Sequence, residues 1–329
     1  MVSETVLAPY RAAVIKRWDD DGIVKYFDYT DFPGLSRMPF SFTMPHGGTV
    51  RGGFFAYDEV RYPDRLVVFS HGLGGGYRSY MREIELMCRA GLRVAAFDNT
   101  GCFSSDGEDI RALGEGPACL DACLDFLAQN ETARGKELYL LGHSAGGFSV
   151  GAVLPRHPEI RGAVILSAFA SVRDGIEVLC PGDGKQARRA FLRYERSLYR
   201  GYARVSLAKV LRRTSVPVLY IQSEDDAVVP TAHGISAARR GVKDPHASCP
   251  SRVSFVTVTG KGHNPNYSCE AVAEMARVFG EYARKTAAGE LPTVADRKAF
   301  MDAQDFYRIT AQDPKVWERI LSVFGVSAE

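Results

Sequence analysis

Six short apolar runs recur along the chain, and stretches with helical spacing separate most of them. The runs cover residues 65–70, 92–98, 137–142, 162–168, 216–222 and 252–258. Continuous apolar runs of this length are typical of strands that are covered on both faces. Because strands that alternate with helices build parallel sheets, the sequence predicts an α/β protein whose mostly parallel sheet carries helices on both faces.

Two of the intervening stretches, residues 80–90 and 116–127, have apolar residues at helical intervals. Such spacing places these residues on one face of a helix, which we expect to pack against the sheet. The predicted inward positions are Met81, Ile84, Met87 and Cys88 in the first stretch and Cys119, Leu120, Cys123 and Leu127 in the second.

Three further segments extend this pattern. Residues 40–58 indicate an antiparallel hairpin that turns at His46-Gly47-Gly48 and forms the N-terminal edge of the sheet. Residues 170–213 lie between the fourth and fifth apolar runs, and their helical spacing predicts a small inserted cap. Residues 290–329 contain two helix-start signals and predict a C-terminal helical extension. We therefore expect residues 1–329 to form a single domain.

Composition excludes several classes of protein. The 329 residues are 46% hydrophobic and carry a formal net charge of +2, so the overall charge does not point to nucleic acid or to an anionic membrane surface. No apolar run approaches the roughly 18 residues of a membrane span, and the first 22 residues do not resemble a signal peptide. Seven cysteines without C-x-x-C spacing suggest free thiols in a reducing compartment. These features predict a cytoplasmic protein.

A G-x-S-x-G pattern, Gly142 to Gly146, directly follows the third apolar run. A strand that turns at once into a helix holds the central Ser144 in a strained conformation and exposes its hydroxyl at the carboxyl edge of the sheet. The backbone around such a turn is so crowded that glycine is favoured two positions to either side. The helix that follows also directs its free N–H groups towards the serine. The context therefore predicts that Ser144 is a nucleophile.

A serine nucleophile needs a base, and the base needs an orienting acid. An acidic segment, "SEDDAVVP", follows the fifth apolar run, and "GKGHNPNY" with His263 follows the sixth. Both segments should therefore reach the same sheet edge as Ser144. The order serine, aspartate, histidine resembles that of the α/β-hydrolase superfamily, and the resemblance covers about residues 40–284.

Membership of this superfamily would imply a Ser144–His263–Asp226 triad. The family's usual spacing places the acid at Asp226 and makes Asp225 a solvated or ion-paired neighbour. A family-like His-Gly pair begins the glycine-rich loop after the first apolar run, and the resemblance assigns the oxyanion-binding backbone N–H groups to Leu73 and Ala145. This loop fails as a dinucleotide site because G-x-G-x-x-G would require glycine at residue 77.

The resemblance also suggests what contacts the substrate. Gly72 and Gly74 would line the site together with His143, which is also explained as a packing residue at the end of its strand. We expect no metal and no organic cofactor. The expected reaction is cleavage of a small to medium carboxylic ester through an acyl-enzyme. A serine peptidase or amidase, a thioesterase, and a binding protein that has lost turnover are the alternatives, and the oligomeric state is left open.

The predicted cap is strongly basic. It holds eleven lysines and arginines against four acidic residues, a net charge of +7 in a chain whose total is +2. One explanation is the solvated face of an amphipathic helix. The other is an overhang that favours anionic substrates.

Overall fold

A computed structural model describes residues 4–240, 242 and 252–326. These residues include an eight-stranded sheet of order β1-β2-β4-β3-β5-β6-β7-β8. The strands are β1 (Ser36–Thr43), β2 (Thr49–Ala56), β3 (Arg65–Ser70), β4 (Arg93–Phe97), β5 (Glu137–His143), β6 (Gly162–Leu166), β7 (Val218–Ser223) and β8 (Val253–Val258). Strands β3 to β8 pair in parallel, whereas β2 is antiparallel to both β1 and β4. The predicted mostly parallel sheet and its antiparallel N-terminal hairpin are both confirmed.

Helices α1 to α12 surround this sheet. Their bounds are Glu4–Ala13, Met81–Arg89, Glu115–Gln129, Ala145–Val153, Val172–Leu179, Lys185–Leu198, Leu207–Arg213, Ile235–Arg239, Cys269–Ala287, Val294–Asp302, Phe306–Ile309 and Pro314–Val323. Two clusters of buried apolar side chains flank the sheet, and the eight inward positions predicted on α2 and α3 are all buried. Helices therefore cover both faces.

The helices between β6 and β7 form the predicted cap, and buried contacts tie it to the rest of the chain. On α6, the carboxylate of Glu195 is fully buried and accepts hydrogen bonds from the backbone N–H groups of Leu113, at 2.7 Å, and Gly114, at 3.2 Å. The hydroxyl of Tyr10 on α1 donates to the same carboxylate. The Tyr10 ring also stacks on Phe191 with 5.0 Å between ring centroids.

The C-terminal extension contains three helices rather than the two that the sequence indicates. Thr293 and Asp313 cap α10 and α12, and Pro314 is the first residue of α12. Asp305 caps the additional short helix, α11, by accepting a hydrogen bond from the N–H of Arg308. Six of the seven cysteines are free thiols, and Cys249 lies outside the described residues.

Candidate active site

Ser144 lies at a sharp turn between β5 and α4. Its backbone has φ 55° and ψ −121°, a strained conformation for a residue other than glycine. The Ser144 N–H donates to the carbonyl of Leu166 on the neighbouring strand β6 at 2.8 Å, which anchors the turn to the sheet. The side chain is only partly buried. The turn therefore has the geometry that the G-x-S-x-G pattern predicts.

The glycines on either side of Ser144 are required by close backbone contacts. A Cβ atom on Gly142 would lie 2.3 Å from the carbonyl oxygen of Gly146, and one on Gly146 would lie 2.0 Å from that of Ser70. Both distances are far below any tolerable contact between a carbon and an oxygen atom. The pattern is therefore explained by the packing of β5 and α4 against the end of β3.

Asp226 and His263 meet at the carboxyl edge of the sheet. Nδ1 of His263 lies 3.0 Å from each carboxylate oxygen of Asp226, so the imidazole donates to a buried acceptor. The backbone N–H groups of Val228 and Val229 also donate to Oδ1, at 3.0 and 2.9 Å, and the amide of Gln222 donates to Oδ2 at 3.2 Å. This arrangement fixes the carboxylate, and Nε2 of His263 has no hydrogen-bond partner among the described residues.

Two opposing effects act on the pKa of Asp226. Burial raises the pKa, but the hydrogen bond and charge of His263, with the donors of Val229 and Gln222, outweigh burial and hold it below its usual range. The group is therefore an anion at neutral pH and suits the stabilisation of an imidazolium.

The neighbouring Asp225 has a different environment. Its side chain is exposed and accepts from the backbone N–H groups of Gly260 at 3.0 Å and Gly262 at 3.2 Å. The hydroxyl of Ser223 also donates to it, and this bond lowers the pKa of Asp225. Asp225 thus holds the loop that leads to His263 and does not contact the imidazole.

The glycine-rich loop after β3 packs directly against the serine. A Cβ atom on Gly72 would lie 3.3 Å from the Cβ of Ser144. Among the described residues, no acceptor takes up the N–H of Leu73. The N–H of Ala145 belongs to the first turn of α4, whose leading N–H groups have no partner within the helix. Both predicted oxyanion donors are therefore free to bind a ligand.

His71, at the start of this loop, is fully engaged by the backbone. Nδ1 donates to the carbonyl of Gly72 at 2.8 Å, and Nε2 accepts from the N–H of Asn99 at 2.9 Å. Burial lowers the pKa of His71, so the ring is neutral. Its contacts identify it as a residue that shapes the loop.

His143 makes a chain of hydrogen bonds that the sequence does not indicate. Nε2 donates to the backbone carbonyl of His263 at 2.8 Å, and Nδ1 accepts from the hydroxyl of Tyr80 at 2.9 Å. The same hydroxyl accepts from the N–H of Gly72 at 3.2 Å. The chain therefore links the glycine-rich loop, the strand before Ser144 and the segment that carries His263. Local sequence carries no signal for this chain of hydrogen bonds, because Tyr80 and His143 are 63 residues apart.

The hydroxyl of Ser144 forms no hydrogen bond with any described residue, His263 included. The ring of His263 is nevertheless close to the turn, since its centroid lies 4.7 Å from that of His143, the residue before Ser144. Hydrogen bonds between a nucleophile and its base are often long without substrate and tighten when substrate binds.

Two cavities border the glycine-rich loop. The large cavity, of about 320 Å³, is lined by Leu73, Gly74 and Asn264, and by aromatic and methionine side chains. The small cavity, of about 20 Å³, is lined by Gly72, Leu73 and Ala145. The two predicted oxyanion donors therefore lie at the wall of the small cavity, and Leu73 borders both.

The other predicted contact residues divide between these cavities. Gly74 lines the large cavity and Gly72 the small one, whereas His143 and Ser144 line neither. No residue of the cap lines either cavity. All basic residues of the cap except Arg188 have exposed side chains, which favours the solvated face over an overhanging charge.

Comparisons with known proteins agree with this geometry. The model of the serine aminopeptidase S33 family matches residues 61–194, a segment that contains the glycine-rich loop and Ser144. An esterase from Pyrococcus furiosus superposes with a TM-score of 0.56 at 20% identity, covering 84% of this chain and 97% of that one. The chain has the α/β-hydrolase fold. This fold places Ser144, Asp226 and His263 after strands β5, β7 and β8, at the same edge of the sheet.

Curated relatives of the chain match a shorter segment. A probable esterase from rice, Oryza sativa, is 35% identical over 104 residues, and salicylic acid-binding protein 2 from tobacco, Nicotiana tabacum, is 32% identical over the same number. Each match covers 31% of this chain and 38% of the relative. Among the described residues, no helix has the length and apolarity needed to cross a membrane.

Proposed function

We propose that this α/β-hydrolase cleaves a small to medium carboxylic ester, with Ser144 as nucleophile, His263 as base and Asp226 as the orienting acid. The observation that carries the proposal is the 3.0 Å contact of His263 Nδ1 with both oxygens of the buried Asp226, beside a strained serine turn. Such an arrangement turns a weakly nucleophilic hydroxyl into an effective one.

The reaction has two half-reactions. His263 Nε2 takes the proton of the Ser144 hydroxyl as its oxygen attacks the ester carbonyl, and Asp226 stabilises the imidazolium that forms. The N–H groups of Leu73 and Ala145 bind the negative oxygen of the tetrahedral intermediate. The imidazolium then protonates the leaving alcohol, so that the C–O bond breaks and an acyl-Ser144 remains. Water, deprotonated by His263, releases the acid and restores the serine.

A second candidate is cleavage of an amide or peptide bond, which the match to the serine aminopeptidase S33 family favours. The proposed triad and oxyanion donors suit amides, thioesters and esters alike. The three differ in the leaving group, which is a poor one in an amide. Purified protein should therefore be assayed against matched ester, thioester and amide substrates with the same acyl group.

Covalent labelling tests the proposed nucleophile. A fluorophosphonate probe should modify Ser144 alone, as located by peptide mapping, and Ser144→Ala should abolish both labelling and turnover. Ser322→Ala is the matched control, because Ser322 lies on α12, is exposed, and its hydroxyl donates only to the carbonyl of Arg319. Chelators should leave the rate unchanged. Labelling at another serine, or turnover by Ser144→Ala, would overturn the assignment. A binding protein that has lost turnover would show neither activity nor labelling.

A further inference from the structure

We propose that the large cavity binds the apolar alcohol portion of the ester, while the small cavity restricts the acyl portion to a short chain. This inference rests on the proposed function and specifies its substrate class: short-chain acyl esters of apolar alcohols. It also assigns the specificity of the site to the two ends of the chain rather than to the cap.

Segments from both ends of the chain build the large cavity. Residues 24–27 contribute one part of its wall, and Phe306, Ile309 and Thr310 from the C-terminal extension contribute another. Met275 and Phe279 on α9 complete an apolar lining next to the glycine-rich loop. The volume of about 320 Å³ is at the lower end of the range of roughly 300–1,000 Å³ that is common for small-molecule pockets.

The position of the base assigns this cavity to the leaving alcohol. The alcohol oxygen must lie beside His263, because the imidazolium returns its proton to that oxygen. Asn264 directly follows His263 and lines the large cavity, and Tyr267 from the same loop lines it as well. An alcohol chain that extends away from His263 along this loop therefore enters the large cavity.

The chemistry of the lining selects an uncharged, apolar group. The lining includes two arginines, and each already packs against another side chain. Arg78 lies 3.3 Å from a carboxylate oxygen of Asp20, and the Arg82 guanidinium lies 4.8 Å from the centre of the Tyr307 ring. A third cation, Lys25, is exposed, so that water screens its charge. Aromatic and methionine side chains therefore determine what binds.

The small cavity limits the acyl portion. By the same volume measure, a single water needs about 10–15 Å³, and the small cavity has about 20 Å³. Ile110, Ala112 and Leu113 also line it and contribute apolar walls. A carbonyl bound between Leu73 and Ala145 thus has room for an acyl chain about the size of acetyl.

Isomeric esters test the inference on the unmodified protein. Hexyl acetate and methyl heptanoate have the same atoms and differ only in which side of the ester carries the chain. We expect kcat/KM to be at least about tenfold higher for hexyl acetate, and to rise about fourfold per methylene along the alkyl acetates until the cavity is full. Equal values, or a preference for methyl heptanoate, would overturn the inference.

Two variants test whether the lining of the large cavity causes the preference for long alcohol chains. Phe279→Ala removes an apolar wall and should lower the ratio of kcat/KM for hexyl acetate to that for ethyl acetate several-fold, whereas Val294→Ala, at an exposed site on α10, should leave this ratio unchanged. An unchanged ratio in Phe279→Ala would contradict the assignment. If fluorophosphonate labels Ser144 and esters are cleaved without the isomer preference, only this inference fails; if neither occurs, the proposed function fails and this inference with it.

Discussion

The hydroxyl of Tyr80 lies 2.9 Å from Nδ1 of His143, and this bond determines which nitrogen of the imidazole carries the proton. Nε2 must then be protonated, as its bond to the carbonyl of His263 requires. Burial lowers the pKa of His143 to about 3, so the ring is neutral over the working range of pH. His143 therefore acts through geometry: it connects the backbone of the proposed base to the loop that carries the proposed oxyanion donor Leu73.

Tyr80→Phe should lower kcat with little change in KM. The variant keeps the ring but leaves the N–H of Gly72 and Nδ1 of His143 without their partner, so the loop before Leu73 loses its anchor. A misplacement of about 1 Å in a catalytic group can cost about 100-fold, and we expect a loss of about 10- to 100-fold. The kcat from steady-state kinetics and the rate of fluorophosphonate labelling should decrease together.

Tyr282→Phe provides the control for Tyr80→Phe. Tyr282 lies on α9, where its ring packs near Phe300, and it is remote from the hydrogen-bond chain. Its loss of a hydroxyl should change neither kcat nor the labelling rate. A Tyr80→Phe protein with an altered Tm but unchanged kcat would show that Tyr80 has a structural role only.

The two adjacent aspartates should differ in their contribution to rate. Asp226→Asn removes the carboxylate that accepts from His263 and should lower kcat by about 10⁴, as the equivalent change does in serine proteases. Asp225→Asn removes only the acceptor for the loop N–H groups of Gly260 and Gly262 and should cost much less. If kcat fell more in Asp225→Asn, the assignment of the acid would be in error by one position.

Backbone crowding at the serine turn can be tested by unfolding. Gly146→Ala forces a Cβ atom to within 2.0 Å of the Ser70 carbonyl, so the variant should be strongly destabilised or fail to fold. Gly280→Ala introduces the same atom on α9, where no neighbour lies within 4 Å, and should stabilise the fold by about 0.5–1 kcal/mol because alanine favours helix. Urea titration should therefore give opposite signs for the two substitutions, and equal losses would contradict this account.

The sheet was predictable because its strands are locally apolar. The six runs coincide with β3 to β8 within two residues at each end, since strands covered on both faces need continuous apolar sequence. Helix α1 was not predicted because tertiary contacts stabilise it: Tyr10 stacks on Phe191 and bonds to Glu195, which are 181 and 185 residues away in the chain. The exchange of β3 and β4 in the strand order likewise depends on connections that local sequence does not specify.

Some features of the candidate site could also be predicted from sequence, and others could not. The positions of Ser144, Asp226 and His263 at strand ends could be inferred from sequence, since carboxyl ends of parallel strands share one edge. The partners of His143 could not, because its two nitrogens contact residues 63 and 120 positions away. The large cavity could not be predicted from sequence either, because its walls come from both ends of the chain.

Glu83 couples the stability of this region to pH. It lies on α2 with only 2% of its surface exposed, and the amide of Asn266 donates to its carboxylate at 3.1 Å. Asn266 belongs to the loop after His263. Burial raises the pKa of Glu83 from 4.5 to about 7 despite this hydrogen bond.

The wild type should lose stability as pH rises, and Glu83→Gln should not show this loss. The folded state binds the Glu83 proton more tightly than the unfolded state, so this contribution is complete below pH 4.5 and disappears as the pH passes about 7. At about 1.4 kcal/mol per pKa unit, the variant should gain about 3 kcal/mol on the wild type between pH 4.5 and 8. Urea unfolding at both pH values measures this difference, and exposed Glu131→Gln is the control. A constant difference between Glu83→Gln and wild type would mean that Glu83 does not change its protonation in this range.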